Sequence, residues 1–213
     1  MLRRHRRILN ADSRGIPPLA RVHFHPMANP DPDNLYILTY PEPALRERAG
    51  EIDPGGEGVS AVVDRMIELM FDDEGIGLAA PQVGLPWRLF IAHVPPGDDR
   101  SVEDNPASCT AEPLAFFNPV IVSLDGPPEP YEEGCLSLPE IRGDVLRPPG
   151  VHLRAVGLDG KPFELAAGGL LARCILHEYD HLDGVLIIDK FTQISRMKTR
   201  SAVRRLEREA GVR

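Results

Sequence analysis

From residue 59 to residue 70 the apolar positions Val59, Val62, Val63, Met66, Ile67 and Met70 recur every three or four places, while Asp64, Arg65 and Glu68 fall between them. That period lays one apolar stripe along a helix and predicts an amphipathic helix with its methionines in the core. The helix should stop before Gly75, because Asp72, Asp73 and Glu74 are poor company for the negative end of its dipole. Residues 87–94 and 114–123 are rich in branched and aromatic side chains and read as strands. So do residues 151–156 and 163–165, joined around Asp159-Gly160, a strong hairpin signal. Residues 36–38 suit a short strand and 41–48 a helix start, since proline fits the first helical turn. A central helix is expected from Gly168 or Gly169 to Gly184, a glycine placed as a left-handed cap, and a last, markedly basic one from residue 191 to about 210. Strands in succession with helices at each end predict an α+β fold, with antiparallel sheets around the central helix and a C-terminal helix.

Three stretches carry neither period. Residues 1–34 open on Arg3-Arg4-His5-Arg6-Arg7 and run through Pro17, Pro18, Pro26, Pro30 and Pro32, so they are expected to be a disordered extension. Residues 35–213 are then expected to form a single domain. The extension lacks the apolar core of a secretory signal; it reads as a dispensable tail, as sequence preceding a start at Met27, or as an arginine-rich organellar transit peptide. The run Gly75-Ile76-Gly77-Leu78-Ala79-Ala80-Pro81-Gln82 leaves its backbone uncovered, as a tight turn or a close approach of another chain requires. It has neither the lysine nor the hydroxyl of a phosphate loop. Residues 95–112 read as a polar insertion in which Cys109 is incidental.

Composition narrows the class. At 213 residues, with 42% hydrophobic and 26% charged positions, the chain can bury one good core, and it contains no apolar run approaching the roughly 20 residues that cross a bilayer. The net charge of −8 argues against a protein devoted to nucleic acid, and no DNA or membrane partner is expected. Three cysteines, an odd number without framework spacing, suit a reducing compartment.

The chemistry centres on His177-Glu178-Tyr179-Asp180-His181. Histidines four apart on a helix share a face and can converge on one divalent metal, with the intervening glutamate placed to take a proton from the attacking water. Such a site needs a third protein ligand. The HExxHxxGxxH pattern matches as far as Gly184 but then meets Ile187, which excludes that class. Glu207 and Glu209 sit among Arg204, Arg205 and Arg208, more naturally a salt-bridged surface. Cys174 shares the helix face but lies roughly 10 Å along the axis from His181 at about 1.5 Å per residue, and suits a pocket wall better. Cys135, on another element and freed by Gly134 before it, can approach from the side, so Cys135, His177 and His181 are the expected ligands.

Gly75-Ile76-Gly77-Leu78-Ala79-Ala80-Pro81-Gln82, Glu133-Gly134-Cys135-Leu136-Ser137 and His177-Glu178-Tyr179-Asp180-His181 together resemble the three signature motifs of the peptide deformylases, in the right order. The likeness runs from about Tyr36 to Lys190; Leu176, where the family usually has glutamine, is a departure expected to alter packing rather than chemistry. The resemblance implies removal of the formyl group from N-formylmethionine at the start of nascent polypeptides. It implies Fe²⁺ in the cell, with Zn²⁺, Ni²⁺ or Co²⁺ as replacements, and the Gln82 amide and Leu136 N–H as donors to the oxyanion beside the base Glu178. It also implies that Arg142 touches the substrate peptide.

Other roles follow from the residues. Backbone at Ile76, Gly77 and Gly134 suits pairing with an extended peptide. Ile76, Tyr131, Leu170 and Cys174 are candidates for an apolar methionine pocket, or for plain core. Glu133 either orients a ligand histidine or pairs with Arg147 at the surface. The helix with Arg196, Lys198, Arg200, Arg204, Arg205 and Arg208 is either a solvated face or a contact with the ribosome. A bacterial cytoplasmic enzyme is expected, with organellar import through the extension as the other reading. An HExxH metallopeptidase and a non-catalytic, metal-stabilised ribosome-associated module are the rival functions.

Overall fold

The computed structural model describes residues 30–211. Among these residues seven strands, β1 (Gly77–Ala79), β2 (Leu89–Ala92), β3 (Leu114–Asp125), β4 (Glu129–Cys135), β5 (Leu138–Arg147), β6 (Gly150–Val156) and β7 (Pro162–Gly168), are flanked by α1 (Val59–Asp72), α2 (Gly169–Leu182), α3 (Ile187–Lys190) and α4 (Gln193–Glu209). The strands form an antiparallel five-stranded sheet in the order β1-β2-β3-β6-β7 and a separate β4-β5 hairpin, the α+β arrangement that the sequence pattern predicts.

Burial explains the order. All of β2 is buried, and alternate side chains point to opposite faces of a strand. Phe90 and Ala92 pack with Leu171, Ala172 and Ile175 of α2, whereas Leu89 and Ile91 pack with Val62, Met66 and Met70 of α1. The sheet is therefore covered on both sides in this region. A third apolar cluster joins Leu138, Ile141 and Val145 of β5 to Leu186, Ile187 and Phe191, and so fixes the hairpin against the C-terminal helices. Helix α2 is central, with His177, Glu178 and His181 among its buried residues.

Several local expectations change. Residues 36–38 are not a strand; the chain here is tied to two other segments, with Leu38 N–H donating to the Gln82 carbonyl at 2.7 Å and Tyr40 N–H to the Ser137 carbonyl at 2.8 Å. Residues 41–48 supply only a 3-10 turn, Pro43–Arg46. The glycine-rich run is not simply a turn, since Gly77–Ala79 pairs with β2 before a second 3-10 turn, Ala80–Val83. The last helix starts at Gln193, where Thr192 Oγ1 accepts from Ser195 N–H. Residues 1–29 of the expected extension lie outside the described residues, while Pro32–Asn34 forms a 3-10 turn capped by the Asp31 carboxylate. Cys109 is not in polar surroundings but buried in the main core, because the insertion folds back: Gly168 N–H donates to the Ala107 carbonyl at 2.7 Å, just before α2.

Candidate active site

Two elements supply the three candidate ligands. His177 and His181 lie one turn apart on α2, with ring centroids 5.1 Å apart. Cys135 ends β4 at a register shift after Gly134, an irregularity of the kind that re-aims a side chain. One donor atom from each of the three lies within 4.8 Å of the others, and Cys135 Sγ is 3.2 Å from His181 Nε2. The set offers one thiol and two imidazoles, a three-donor set of the kind that would hold a catalytic divalent metal. The other proposed ligands are engaged elsewhere. Glu207 accepts from Tyr40 Oη at 2.8 Å, Glu209 lies near Arg205, and the Cys174 thiol is 3.2 Å from the Ile76 carbonyl.

Of the two histidines, His177 is held from behind, while His181 Nδ1 is buried without a hydrogen-bond partner among the described residues. His177 Nδ1 is 3.0 Å from Glu133 Oε2, which leaves its Nε2 for a metal. Glu133 thus contacts both residues expected of it, since the same carboxylate pairs with Arg147 (Nε to Oε1, 2.7 Å), and that pair is buried rather than superficial. Arg147 also donates to Asp180 Oδ2 at 2.7 Å and to the Leu176 carbonyl at 3.2 Å, tying the hairpin to α2. Leu176 thus serves through its backbone, and its side chain packs in the main core. Burial pushes the Glu133 carboxyl upward, but hydrogen bonds from His177 and Arg147 outweigh it and bring its pKa down to about 2. Burial also works against a charge on His177, although hydrogen bonds with Cys135 and Glu133 raise its pKa well above the usual value; His181 is pushed well below it by burial and by the neighbouring His177 charge.

Glu178 faces the other way, against β1. Its Oε2 is buried without a hydrogen-bond partner among the described residues, and burial raises its pKa to about 7. A carboxylate that titrates near neutrality is suited to accept and return a proton. Gln82 is locked by its own backbone: Oε1 accepts from Ala79 N–H at 2.8 Å, and Nε2 points to Ser137 Oγ at 3.2 Å and to Cys135 Sγ at 3.5 Å. Leu136 occupies the turn between β4 and β5 immediately after Cys135.

A cleft of about 720 Å³ opens onto these groups. It is lined by Gln82, Leu136, Cys135, His177 and Glu178 and by every residue expected at the substrate: Ile76, Gly77, Tyr131, Gly134, Arg142, Leu170 and Cys174. Arg142 lies opposite Gly134 across the hairpin. Burial raises the Cys174 thiol well above its usual pKa, consistent with a wall residue rather than a thiolate ligand. Sequence reasoning left Arg173 without a role although it lines the cleft, and it missed Asp180 as the partner of Arg147. The available signal was an arginine four residues before His177, on the helix face of the candidate ligands.

The fold and this site define a metal-dependent hydrolase with a cysteine and an HExxH helix. The family model for polypeptide deformylase matches residues 35–197. A peptide deformylase of Azotobacter vinelandii is 41% identical over 177 residues, covering 83% of this chain and 98% of its own length. One from Chromohalobacter salexigens is 42% identical over 162 residues, covering 76% and 88%. The crystal structure of a peptide deformylase from Legionella pneumophila superposes with a TM-score of 0.69 at 34% identity over 84% of this chain and 98% of that one. That from Ehrlichia chaffeensis reaches 0.73 at 29% identity, covering 84% and 99%. The chain belongs to the polypeptide deformylase family, metal-dependent enzymes that remove the N-formyl group from nascent peptides. The readings as a general metallopeptidase or a non-catalytic module give way to that membership.

Proposed function

We propose that Cys135, His177 and His181 hold one divalent metal ion, Fe²⁺ in the cell with Zn²⁺, Ni²⁺ or Co²⁺ able to replace it, and that the cleft hydrolyses the terminal formamide of N-formylmethionyl peptides. The observation that carries this reading is the convergence of the three donor atoms within 4.8 Å beside the buried, unpartnered Glu178 oxygen. Held there, such an ion would acidify water enough to make hydroxide available near neutral pH and would polarise the formyl carbonyl. Glu178 accepts the proton of the attacking water and returns it to the departing amine, so that formate and a free α-amino group result. Negative charge on the formyl oxygen is met by Gln82 Nε2 and the Leu136 N–H. Gln82 needs no reorganisation for this, because Ala79 already holds its carbonyl end.

The peptide lies extended beside Ile76 and Gly77 on one side and Gly134 on the other, bound mainly through its backbone, with Arg142 at its flank. Its first side chain enters the region of Tyr131, Leu170 and Cys174. Formate release from formyl-Met-Ala-Ser, assayed after loading with each metal in turn and beside unformylated peptides, tests the reading. Absence of formate with every metal, or cleavage of internal bonds instead, would sink it.

The setting follows from the same activity. No described helix is long and apolar enough to cross a membrane, and the relatives described above are bacterial, so the proposed place of action is the bacterial cytoplasm. Among the described residues Lys198, Arg200, Arg204 and Arg208 of α4 form no ion pair, while Arg205 reaches Glu140 at 3.0 Å. These four cations are available to ribosomal phosphates, and ribosome binding that does not weaken with salt would count against that contact.

A further inference from the structure

Arg173 is a buried arginine for which the hydrolytic steps have no use. It lies one turn before His177 on α2 and, at i, i+3, i+4 and i+7, shares a helix face with Leu170, Cys174 and His177, all of which line the cleft. Its Nη1 donates to Glu133 Oε1 at 2.8 Å and to the Val145 carbonyl at 3.1 Å; its Nη2 donates to the Glu129 carbonyl at 3.0 Å. A guanidinium carries five N–H donors, so these three bonds leave two without a protein acceptor among the described residues. The Tyr131 ring lies 5.0 Å from the guanidinium carbon and covers one face of it. Tethered at three points and stacked, Arg173 is a stiff cation that lines the cleft together with the apolar Ile76 and Leu170 and the Cys174 thiol.

That cation changes what the pocket tolerates. A purely apolar pocket selects by size and rejects a buried acceptor that finds no donor. Uncommitted guanidinium N–H groups supply that donor, and a hydrogen bond to a charged group is among the stronger ones. Methionine sulfoxide keeps the unbranched shape of methionine and adds one strong acceptor oxygen near the end of the side chain. We infer that Arg173 is a specificity-determining residue, and that this enzyme deformylates peptides beginning with N-formylmethionine sulfoxide as well as N-formylmethionine, the sulfoxide oxygen accepting from Arg173. This rests on the reading that the cleft receives the first side chain of the substrate.

The test compares kcat/KM for formyl-Met-Ala-Ser, its sulfoxide and formyl-norleucine-Ala-Ser on the metal-loaded enzyme. In the wild type the sulfoxide should be within about tenfold of the thioether. Arg173→Met should lower the sulfoxide-to-thioether ratio by a further tenfold or more, leave the norleucine-to-thioether ratio unmoved, and be partly rescued in Arg173→Lys. Using ratios within one enzyme cancels any loss that reaches the metal through Glu133. A wild-type sulfoxide substrate more than a hundredfold poorer than the thioether overturns the proposal without recourse to any variant. So does an Arg173→Met enzyme that loses both substrates equally, the behaviour of a merely structural prop. No turnover of the unoxidised peptide would instead remove the reading on which the proposal rests.

Discussion

Gly77 lies so close to Glu178 that a β-carbon on it would sit 2.8 Å from both Cγ and Cδ of the glutamate. Neither partner can retreat: Gly77 is fixed by its pairing with Ala92, and Glu178 stands on a helix buried against the same sheet. The glycine is therefore required by the proposed base beside it. Gly77→Ala should fold and bind metal yet lose about a hundredfold in kcat, since displacements near 1 Å cost that much at a reacting centre. Steady-state kinetics with metal analysis on the same sample checks this, and an unimpaired kcat would refute it.

Replacing the carboxylate itself is the complementary test. Glu178→Ala should lower kcat by about a hundredfold to ten-thousandfold, the usual worth of a positioned base, and retain stoichiometric metal. With the carboxylate pKa raised to about 7 by burial, the base is increasingly ionised as pH rises through neutrality, so metal-free stability should respond in the opposite sense. The folded form then binds more protons than the unfolded one between roughly pH 4.5 and 7. This group's contribution to stability falls as pH rises through that window, and Glu178→Gln should remove that component from the pH dependence of the melting temperature of the metal-free protein.

Glu133 gives the opposite sign. Its folded pKa of about 2 lies below the ordinary carboxylate value, so its contribution is present above roughly pH 4.5 and is lost as pH falls toward 2. Glu133→Gln should erase that acid-side component. At neutral pH it leaves Arg147 and Arg173 without their shared carboxylate, and breaking a buried ion-pair network of this kind costs about 3 kcal/mol or more. For a chain of this size that is a drop of roughly 6–12 °C in Tm, readable by calorimetry. Weakened metal binding should accompany it, because His177 loses the acceptor at its Nδ1.

The parts of the site that share a local sequence pattern were legible before the fold. His177 and His181 announce themselves by helical spacing, and α1 by its apolar period. The hairpin that carries Cys135 was not, because β4 is mostly exposed and both strands are interrupted by glycine, proline and charge, so neither alternation nor an apolar run marks them. What holds β4 and β5 in place is long-range, an arginine on β5 reaching Glu133 on β4 and Asp180 on α2, and no window of sequence contains all three. The short strand at Gly77 was hidden for a related reason. Small residues read as a turn until the sheet edge and Glu178 that require them are known.

Removal of the metal should be reversible and should report on stability as well as turnover. A chelator should abolish formate release and lower Tm, because an ion bound only by the folded arrangement stabilises it by mass action. Readdition of Fe²⁺ under anaerobic conditions, or of Ni²⁺, should restore both. Cys135→Ser should bind the metal far more weakly, and its Tm should no longer respond to the chelator. A chelator-insensitive wild-type Tm would mean that the three donors do not share an ion.

Cys109 occupies surroundings that its flanking sequence does not announce. It lies in an insertion of polar composition, yet it is 4% exposed and packed in the main cluster with Ala107 alongside. The flanking chain explains why: Thr110 N–H donates to the Val94 carbonyl at 2.8 Å, and Ala107 accepts from Gly168, so the insertion is stitched to β2's exit and to the start of α2. A β-carbon on Gly168 would meet Pro106 Cγ at 2.9 Å, which shows how closely the two segments approach. The insertion is thus a brace for the helix that carries His177 and His181. Cys109→Ser keeps the size and adds a hydroxyl that prefers water, at a cost of about 1–3 kcal/mol. Cys109→Ala should cost less, and both should leave kcat/KM nearly unchanged because the thiol is not among the groups that line the cleft. Urea unfolding followed by activity at low denaturant distinguishes this from an incidental surface cysteine, for which both substitutions would be neutral.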